Sequence, residues 1–376
     1  MKAARKTWLS RWGVFLVGTA TALLLGSAFA MDLLGDGLPD GVLQRRVPAN
    51  AVPLAVLGDS GSHSFQDRIA FPPGSPDRGG PLRARTFQWI EVLARLRGNE
   101  LDPGPFVVWG SSGVLASGRE ALGLSGGRAP KKEDYLYNFA NSGAGCNNLM
   151  SGRFRQAPRL VALMDKEPER WKRGVVFISI GLNNWAGLLD LQSREPDTAE
   201  TREAIRYCTE QLRAAVNLIH ASHPEARVLL AGIVNDADDP GKAARWQSAS
   251  ETANINKALG NFNAAVRQLA ESLPRTAFYD DAAVFARLWG GRDPATGKPD
   301  YKTVAIGKDF RVTNTAGDDP RNALLADQHA GVVWNTFIAQ AVVARLREAF
   351  KLPLTPISDK EVADFVLPLA QPQPGK

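Results

Sequence analysis

A serine at the end of an apolar segment is the first residue in this sequence whose type and placement suit covalent chemistry. Residues 52–57 are apolar and predict a buried strand, and Gly58-Asp59-Ser60 follows directly. Gly58 permits a sharp turn that places Ser60 at the carboxyl end of the strand, where ligands bind in open α/β sheets. Because Gly-Asp-Ser is also an ordinary turn sequence, Ser60 is a candidate nucleophile only if a base and an oxyanion hole accompany it.

Three of the four histidines in the sequence are weak candidates for that base. His220 and His223 end a predicted helix, where a histidine usually interacts with the helix dipole. They have no third neighbour of metal-binding type in the sequence, so we predict no metal site there. His63 follows Ser60 by three residues, and we expect it at the rim of the serine's pocket or turned away from the serine.

The remaining histidine, His329, lies late in the chain on a loop before a predicted apolar helix. Asp327 precedes it by two residues. A histidine beside an aspartate suits a general base whose orientation is fixed by a carboxylate. Asp318 and Asp319 lie earlier in the same loop and are alternative partners for this histidine.

Two further loops carry donors for an oxyanion. Residues 135–139 and 174–180 are predicted strands, and each runs into a loop rich in glycine and asparagine. The N–H of Gly143 in the first loop and the side-chain amide of Asn183 in the second suit a developing oxyanion. Glycine and asparagine are also common in ordinary turns. The succession of these loops, with the serine ahead of them and the histidine behind them, favours a catalytic site.

In this order the motifs resemble the sequence blocks of the SGNH (GDSL-type) hydrolases. The resemblance covers about residues 52–345 and rests on the order and spacing of four short motifs: Gly58-Asp59-Ser60, Asn138-Phe-Ala-Asn-Ser-Gly143, Gly181-Leu182-Asn183-Asn184 and Asp327-Gln328-His329. It implies a three-layer α/β fold of flavodoxin-like architecture, in which helices cover both faces of a parallel sheet.

The resemblance also implies a role for each of these residues. Ser60 would be the nucleophile, His329 the general base and Asp327 the carboxylate that orients it. The oxyanion hole would consist of the N–H groups of Ser60 and Gly143 and the side chain of Asn183. This mechanism requires neither a metal ion nor an organic cofactor, and we expect none.

The sequence departs from the family pattern in two places. The family usually has Asp-x-x-His, whereas Asp327 is one residue closer to His329. Asn184 replaces the usual aspartate of the third block, and an asparagine preserves much of the hydrogen bonding of that turn. Asn184 and the adjacent Trp185 are the candidate substrate-binding residues, with core packing of the tryptophan as the alternative. Trp109 also follows a predicted strand and is a second candidate for the cleft.

The amino terminus has the composition of a secretory leader. Its first 30 residues contain an apolar stretch that ends in Ala28-Phe29-Ala30, preceded by Lys2, Arg5, Lys6 and Arg11. This pattern is typical of a cleaved signal peptide. An uncleaved signal anchor is the alternative, because the apolar stretch is close to membrane-spanning length. Without these four charges the net charge of +6 falls to +2, so we do not expect nucleic-acid binding.

The two cysteines, Cys146 and Cys208, fit the same destination. A single disulfide is stable in an oxidising compartment. It would tie the loop after the second block to the long helix predicted over residues 198–221. Two buried free thiols are the alternative. Cys146 has no neighbouring histidine in the sequence, so we do not expect a catalytic cysteine.

Strands and helices alternate along the chain, which favours a parallel sheet with helices on both faces. The predicted strands are 52–57, 106–109, 135–139, 174–180, 226–233 and 276–280. The predicted helices are 86–97, 154–165, 198–221, 251–272 and 331–350. We expect one catalytic domain over residues 31–351, after the leader over 1–30 and before a Pro-rich, extended or disordered tail over 352–376. Insertions rich in Gly, Pro and charge are expected around the cleft at 71–85, 110–134 and 290–320.

These observations predict a periplasmic or secreted serine esterase. Its substrates would be carboxylic esters, such as O-acyl or O-acetyl groups of a carbohydrate or a lipid. The same chemistry with a sugar hydroxyl in place of water would give an envelope polysaccharide O-acyltransferase. A non-catalytic envelope or glycan-binding protein on the same scaffold is an alternative of another class. We expect membrane contact only if the leader remains uncleaved.

Overall fold

A five-stranded parallel sheet lies at the centre of the computed structural model, which describes residue 48, residues 50–124 and residues 127–371. The predicted leader over 1–30 lies outside the described residues. The strands are β1 (Val52–Gly58), β2 (Leu101–Asp102), β3 (Phe106–Trp109), β4 (Lys132–Tyr135), β5 (Val175–Ser179), β6 (Arg227–Ala231), β7 (Thr276–Tyr279), β8 (Gly290–Arg292), β9 (Pro299–Tyr301), β10 (Thr303–Ile306), β11 (Phe310–Ala316) and β12 (Asn322–Leu324). The central sheet has the order β2-β1-β5-β6-β7, and each neighbouring pair is parallel.

Helices fill the connections between these strands. The α-helices are α1 (Trp89–Arg97), α2 (Gly113–Ala121), α3 (Gln156–Met164), α4 (Pro168–Trp171), α5 (Leu182–Trp185), α6 (Leu189–Arg194), α7 (Ala199–Ser222), α8 (Ala249–Ser272), α9 (Asp281–Trp289), α10 (Val332–Phe350) and α11 (Asp359–Ala370). Short 3-10 helices cover Gly80–Arg85, Cys146–Leu149, Ala186–Leu188, Asp236–Asp238 and Pro240–Lys242.

The side chains of each central strand alternate between two faces of the sheet. On β1, Leu54 and Val56 enter one core cluster, and Ala55 and Leu57 enter the other. Helices α1 and α10 contribute apolar side chains to the first cluster, and α3, α7 and α8 contribute to the second. The predicted three-layer α/β fold with a central parallel sheet is therefore confirmed.

The loops that leave the carboxyl ends of four neighbouring strands meet at one edge of the sheet. Ser60 follows β1, Leu182 follows β5, Gly232 follows β6 and Asp281 follows β7, and all four residues line one cavity. In open parallel sheets this edge is where ligands bind.

Two predicted strands lie outside the parallel sheet. β3 has the predicted bounds 106–109, but it pairs antiparallel with β4 in a separate two-stranded ribbon. β4 ends at Tyr135, and Asn138 from the predicted strand 135–139 forms only an isolated bridge to Val56. The sheet position beside β1 is instead occupied by β2, which has only two residues and is too short for an apolar pattern to reveal.

Residues Asp359–Ala370 form helix α11, so the prediction of an extended or disordered tail over 352–376 is wrong for this part of it. Helix α11 buries Val362 and Val366 in the same core cluster as α1 and α10. Its Glu361 forms an ion pair with Arg97 of α1, at 2.9 Å. Tertiary packing of an apolar helix face supplies most helical stability in proteins, and here it prevails over the proline content on which the prediction rested.

The three predicted insertions carry regular structure of their own. Residues 110–134 contain α2 and most of β4, and residues 290–320 contain β8 to β11. Residues 71–85 contain a short 3-10 helix and bring Arg78 to the predicted catalytic base. The insertion over residues 71–85 therefore contributes directly to the candidate site.

A disulfide joins Cys146 and Cys208, which confirms the predicted bond. It links the 3-10 helix after the second-block loop to helix α7, as expected from the sequence. Within the described ranges, no helix is both long enough and apolar enough to span a membrane.

Candidate active site

A cavity of about 150 Å³ lies at the carboxyl edge of the sheet. Ser60 and His329 both line it, although they are far apart in the sequence. The structure thus places the candidate nucleophile and the candidate base in one cavity.

A buried glutamine, Gln156, fixes the backbone of the turn that presents Ser60. Gln156 accepts a hydrogen bond from the Gly58 N–H and donates one to the Gly58 carbonyl, both at 2.8 Å. A Cβ atom at Gly58 would lie 2.3 Å from the carbonyl oxygen of Ser179 on β5, so only glycine fits this approach. In the next residue, the Asp59 carboxylate accepts from the Gly61 N–H at 3.0 Å. The side chains of Gln156 and Asp59 therefore hold the backbone on both sides of Ser60.

The short Asp-x-His motif folds so that the carboxylate reaches the histidine. Oδ1 of Asp327 lies 3.2 Å from Nδ1 of His329 and also accepts from the His329 backbone N–H at 3.3 Å. Gln328 between them has a φ of +65°, and this left-handed residue folds the aspartate back toward the histidine. The alternative partners are engaged elsewhere: Asp318 accepts from the Ala326 N–H and Asp319 accepts from the Arg321 N–H.

Arg78 is a site residue that the sequence did not reveal. Its backbone N–H donates to Oδ2 of Asp327 at 2.8 Å, and its guanidinium donates to the same oxygen. Nη1 also lies 2.8 Å from Nδ1 of His329. Burial alone would raise the pKa of Asp327, but the hydrogen bond and charge of His329 and the charge of Arg78 hold this pKa well below its usual range. The aspartate is therefore ionised when it faces the histidine.

A buried chain of contacts anchors Arg78 to the second-block loop. Its guanidinium lies over the ring of Phe71 at 4.5 Å and donates to the Ser142 hydroxyl at 3.2 Å. His63 Nδ1 accepts from the Ser142 N–H, and its Nε2 lies 2.9 Å from Asp67. Burial and the neighbouring positive charge of Lys132 lower the pKa of His63. His63 thus supports the loop as a buried neutral residue.

The candidate oxyanion donors lie on two loops that contact each other. Gly143 is exposed and has a φ of +76°, a conformation that favours glycine. Asn183 is exposed, and its Nδ2 donates to the Ala144 carbonyl at 2.9 Å. The Asn141 N–H donates to the Gly58 carbonyl at 3.1 Å and joins the first loop to the serine turn. Because an amide nitrogen carries two hydrogens, one remains on Asn183 for an acyl oxygen.

The residues that line the cavity include neither the donors Gly143 and Asn183 nor Asn184 and Trp185. For Asn184 and Trp185, contacts elsewhere in the fold correct the substrate-binding prediction. Trp185 is only 1% exposed and packs against Phe262 with a centroid distance of 5.1 Å, so it belongs to the core. Asn184 accepts a hydrogen bond from the Cys146 N–H at 2.8 Å and thereby links the third block to the 3-10 helix that follows the second block. Trp109 is also buried in the core and does not reach the cavity.

Two of the carboxyl groups that line the cavity, those of Asp59 and Asp281, have raised pKa values. Burial raises the pKa of Asp59 to about 6, although the Gly61 N–H and the charge of His329 act in the opposite direction. Burial likewise raises the pKa of Asp281 to about 7. Tyr279, which is 3% exposed, lies beside Asp281, and burial raises the pKa of its phenol well above 10. These groups were not predicted, because Asp281 and Tyr279 belong to no sequence block.

The remaining histidines have structural partners. His220 Nε2 lies 3.1 Å from the Ala226 carbonyl, and His223 Nε2 lies 2.9 Å from Asp165. Among the described residues, no group of three or more histidine, cysteine or acidic residues is arranged to hold a metal ion.

Several solved structures are similar to this chain in fold. They include the lipase Lip_vut3 from a goat rumen metagenome (16% identity, TM-score 0.38, 78% of this chain and 97% of that one). The acetylxylan esterase Axe2 of Geobacillus stearothermophilus shares 16% identity, with a TM-score of 0.39, over 80% of this chain and 95% of that one. An extracellular lipase of Streptomyces rimosus shares 17% identity, with a TM-score of 0.38, over 77% of this chain and 100% of that one. No curated protein sequence matches the chain.

Sequence comparison identifies the family directly. The GDSL-like lipase/acylhydrolase family matches residues 110–302, a segment that contains Gly143 and Asn183. Ser60 and His329 lie outside the matched segment, on either side of it, and the fold brings them to one cavity. Because the match spans more than half of the sequence, the chain belongs to the GDSL-like lipase/acylhydrolase family and is a carboxylic ester hydrolase.

Proposed function

We propose that Ser60, His329 and Asp327 carry out ester hydrolysis as a catalytic triad. The observation that carries this proposal is the shared cavity of Ser60 and His329, with the Asp327 carboxylate 3.2 Å from Nδ1 of the histidine. Ser60 Oγ attacks the acyl carbonyl while Nε2 of His329 accepts its proton. Because Nδ1 faces Asp327, Nε2 is the nitrogen that serves the serine. The imidazolium then returns the proton to the leaving alcohol, and a water molecule repeats the sequence on the acyl-enzyme.

The oxyanion of each tetrahedral intermediate would be held by three donors. These are the backbone N–H groups of Ser60 and Gly143 and the free hydrogen on Nδ2 of Asn183. The conformation of Gly143 and the Asn183–Ala144 hydrogen bond support this role, because they fix both donors before substrate binds. Loss of one such donor typically costs about 3 kcal/mol of barrier lowering.

The proposed substrates are O-acyl or O-acetyl esters of carbohydrate or lipid alcohols, and the proposed location is the periplasm or the exterior of the cell. Two features support export. The first 30 residues have the composition of a secretory leader. Cys146 and Cys208 form a disulfide, a bond that persists mainly in oxidising compartments.

The test compares Ser60→Ala with the wild-type protein and with Ser250→Ala, which alters an exposed serine on α8. We expect wild type and Ser250→Ala to hydrolyse p-nitrophenyl acetate and to react with a fluorophosphonate probe. Ser60→Ala should do neither while it keeps the wild-type melting temperature. Wild-type turnover in Ser60→Ala would overturn the nucleophile assignment.

The same experiment separates the proposed function from its rivals. A protein that reacts with the fluorophosphonate but gives product only when a sugar acceptor is added would be an acyltransferase. A folded protein that neither reacts with the probe nor cleaves esters would be a non-catalytic binding protein.

A further inference from the structure

The cavity that contains Ser60 is acidic and aromatic. Four aspartates line it, namely Asp59, Asp236, Asp239 and Asp281. No described residue that lines it is an arginine or a lysine. Five aromatic residues complete its walls, namely Trp89, Phe177, Tyr279, Phe285 and Trp334. Such a lining disfavours an anionic substrate and favours a cationic one.

Among the described residues, Asp236 is the one of these four carboxylates that forms an ion pair with a cationic side chain, and the other three form none. Asp236 forms an ion pair with Lys242, and Asp239 accepts from the Gly241 N–H at 2.7 Å. Asp59 has a backbone N–H as its partner, and Oδ1 of Asp281 makes no hydrogen bond of normal geometry among the described residues. The raised pKa values of Asp59 and Asp281 reflect burial without a neighbouring cation strong enough to offset it.

The aromatic residues form a connected wall beside these carboxylates. Trp89 and Phe177 have ring centroids 4.9 Å apart, as do Phe285 and Trp334. The ring centroids of Tyr279 and Phe177 are 6.0 Å apart, and Tyr279 is only 3% exposed. Its hydroxyl also lacks a hydrogen bond of normal geometry. Aromatic faces attract ammonium groups, most strongly where water is excluded.

We propose that this cavity binds an ammonium group of the ester substrate, held by Asp59 and Asp281 against the aromatic wall. The inference rests on the proposed hydrolase function and specifies its substrate class. The ammonium group belongs to the alcohol portion of the ester. His329 lines the same cavity and must deliver its proton to the leaving alcohol, so the alcohol lies on this side of Ser60. Amino sugars and the headgroups of amino-alcohol lipids share this chemistry.

The experiment uses two esters of the same shape that differ in charge. Acetylcholine carries a trimethylammonium group, and 3,3-dimethylbutyl acetate carries a neutral tert-butyl group in its place. For the wild-type protein we expect kcat/KM for acetylcholine to exceed that for the neutral ester by about tenfold or more. The ratio within one variant is the readout, so differences in enzyme concentration or overall activity cancel.

Asp281→Asn tests whether the cavity is the source of this preference. The substitution keeps the shape of the side chain and removes its charge. Measured at about pH 8, above the raised pKa of Asp281, the ratio should fall below about threefold. Asp364→Asn is the matched control, because it removes the same charge from an exposed residue of α11 that pairs with Lys360. Its ratio should equal that of the wild type. A second test needs no substitution. Tetramethylammonium chloride should inhibit acetylcholine hydrolysis by the wild-type protein more strongly than sodium chloride does at equal ionic strength.

Each outcome decides the proposal. A wild-type ratio near one, absence of turnover for both esters while p-nitrophenyl acetate is cleaved, or equal inhibition by the two salts would overturn it. An unchanged ratio in folded Asp281→Asn would also overturn the assignment to this cavity. Failure to cleave p-nitrophenyl acetate and to react with the fluorophosphonate would instead refute the hydrolase mechanism on which the inference rests.

Discussion

Replacement of Arg78 by glutamine tests whether this arginine positions the catalytic base. The variant keeps the backbone N–H that donates to Asp327 at 2.8 Å but loses the guanidinium that donates to the same oxygen. A hydrogen bond to a charged group contributes about 1.5–3 kcal/mol. If all of this hydrogen-bond energy supports the orientation of His329 in the transition state, kcat of the variant falls by about ten- to 150-fold, because about 1.4 kcal/mol corresponds to tenfold in rate.

The assay is p-nitrophenyl acetate hydrolysis, with kcat and KM measured separately. We expect the loss in kcat, because Arg78 acts on Asp327 and does not line the substrate cavity. Arg78→Lys should recover only part of the rate, since a lysine has the charge but not the forked donors of a guanidinium. Arg245→Gln is the control: it removes an exposed arginine that pairs with Asp190 at 2.7 Å, and its turnover should match the wild type.

A double variant decides whether Arg78 acts through the aspartate. Arg78→Gln combined with Asp327→Asn should lose no more activity than Asp327→Asn alone, because coupled residues give non-additive effects. Additive losses would refute this reasoning. So would a folded Arg78→Gln protein with wild-type or higher turnover. Higher turnover would mean that Nη1, 2.8 Å from Nδ1 of His329, holds the histidine in an unproductive tautomer.

Two further predictions concern stability. Burial raises the pKa of Asp281 to about 7, above its value in the unfolded chain, so the folded protein binds more protons between pH 4 and 7. The free energy of unfolding should therefore fall as pH rises through this window, and less steeply in Asp281→Asn; equal slopes in urea denaturation would contradict this. Replacing Cys146 and Cys208 by serine opens a loop of 62 residues and should lower the free energy of unfolding by about 4 kcal/mol. A loss below about 1 kcal/mol in the same assay would argue against it.

The sequence predicted those parts of the fold that depend on local pattern. The apolar run before Ser60 predicts a buried strand, and Gly58 predicts the sharp turn, since a Cβ there would meet the Ser179 carbonyl. The long helices α7, α8 and α10 were predicted to within two residues because their apolar positions recur at helical spacing. Loops at the ends of parallel strands meet at one edge, so the order of the blocks also indicated which residues share a site.

The parts that escaped prediction depend on tertiary contacts. Trp185 directly follows the third block and resembles a cleft residue in sequence, yet packing against Phe262 buries it. Asp281 lies beyond every block, and it enters the cavity only because β7 is parallel to β6 and ends at the same edge. Tyr279, the last residue of β7, reaches the cavity for the same reason.

Arg78 explains how an Asp-x-His motif can function in place of the usual Asp-x-x-His. Gln328 adopts a left-handed conformation, and Oδ1 of Asp327 then faces both the backbone N–H and Nδ1 of His329. The other oxygen, Oδ2, is held by the backbone and the guanidinium of Arg78, from an insertion 249 residues earlier in the chain. The backbone N–H of His329 therefore holds one carboxylate oxygen, and two donors of Arg78 hold the other. In this protein the orientation of the aspartate is set by a distant insertion as well as by motif spacing, so a search for the spacing alone would miss half of what holds it.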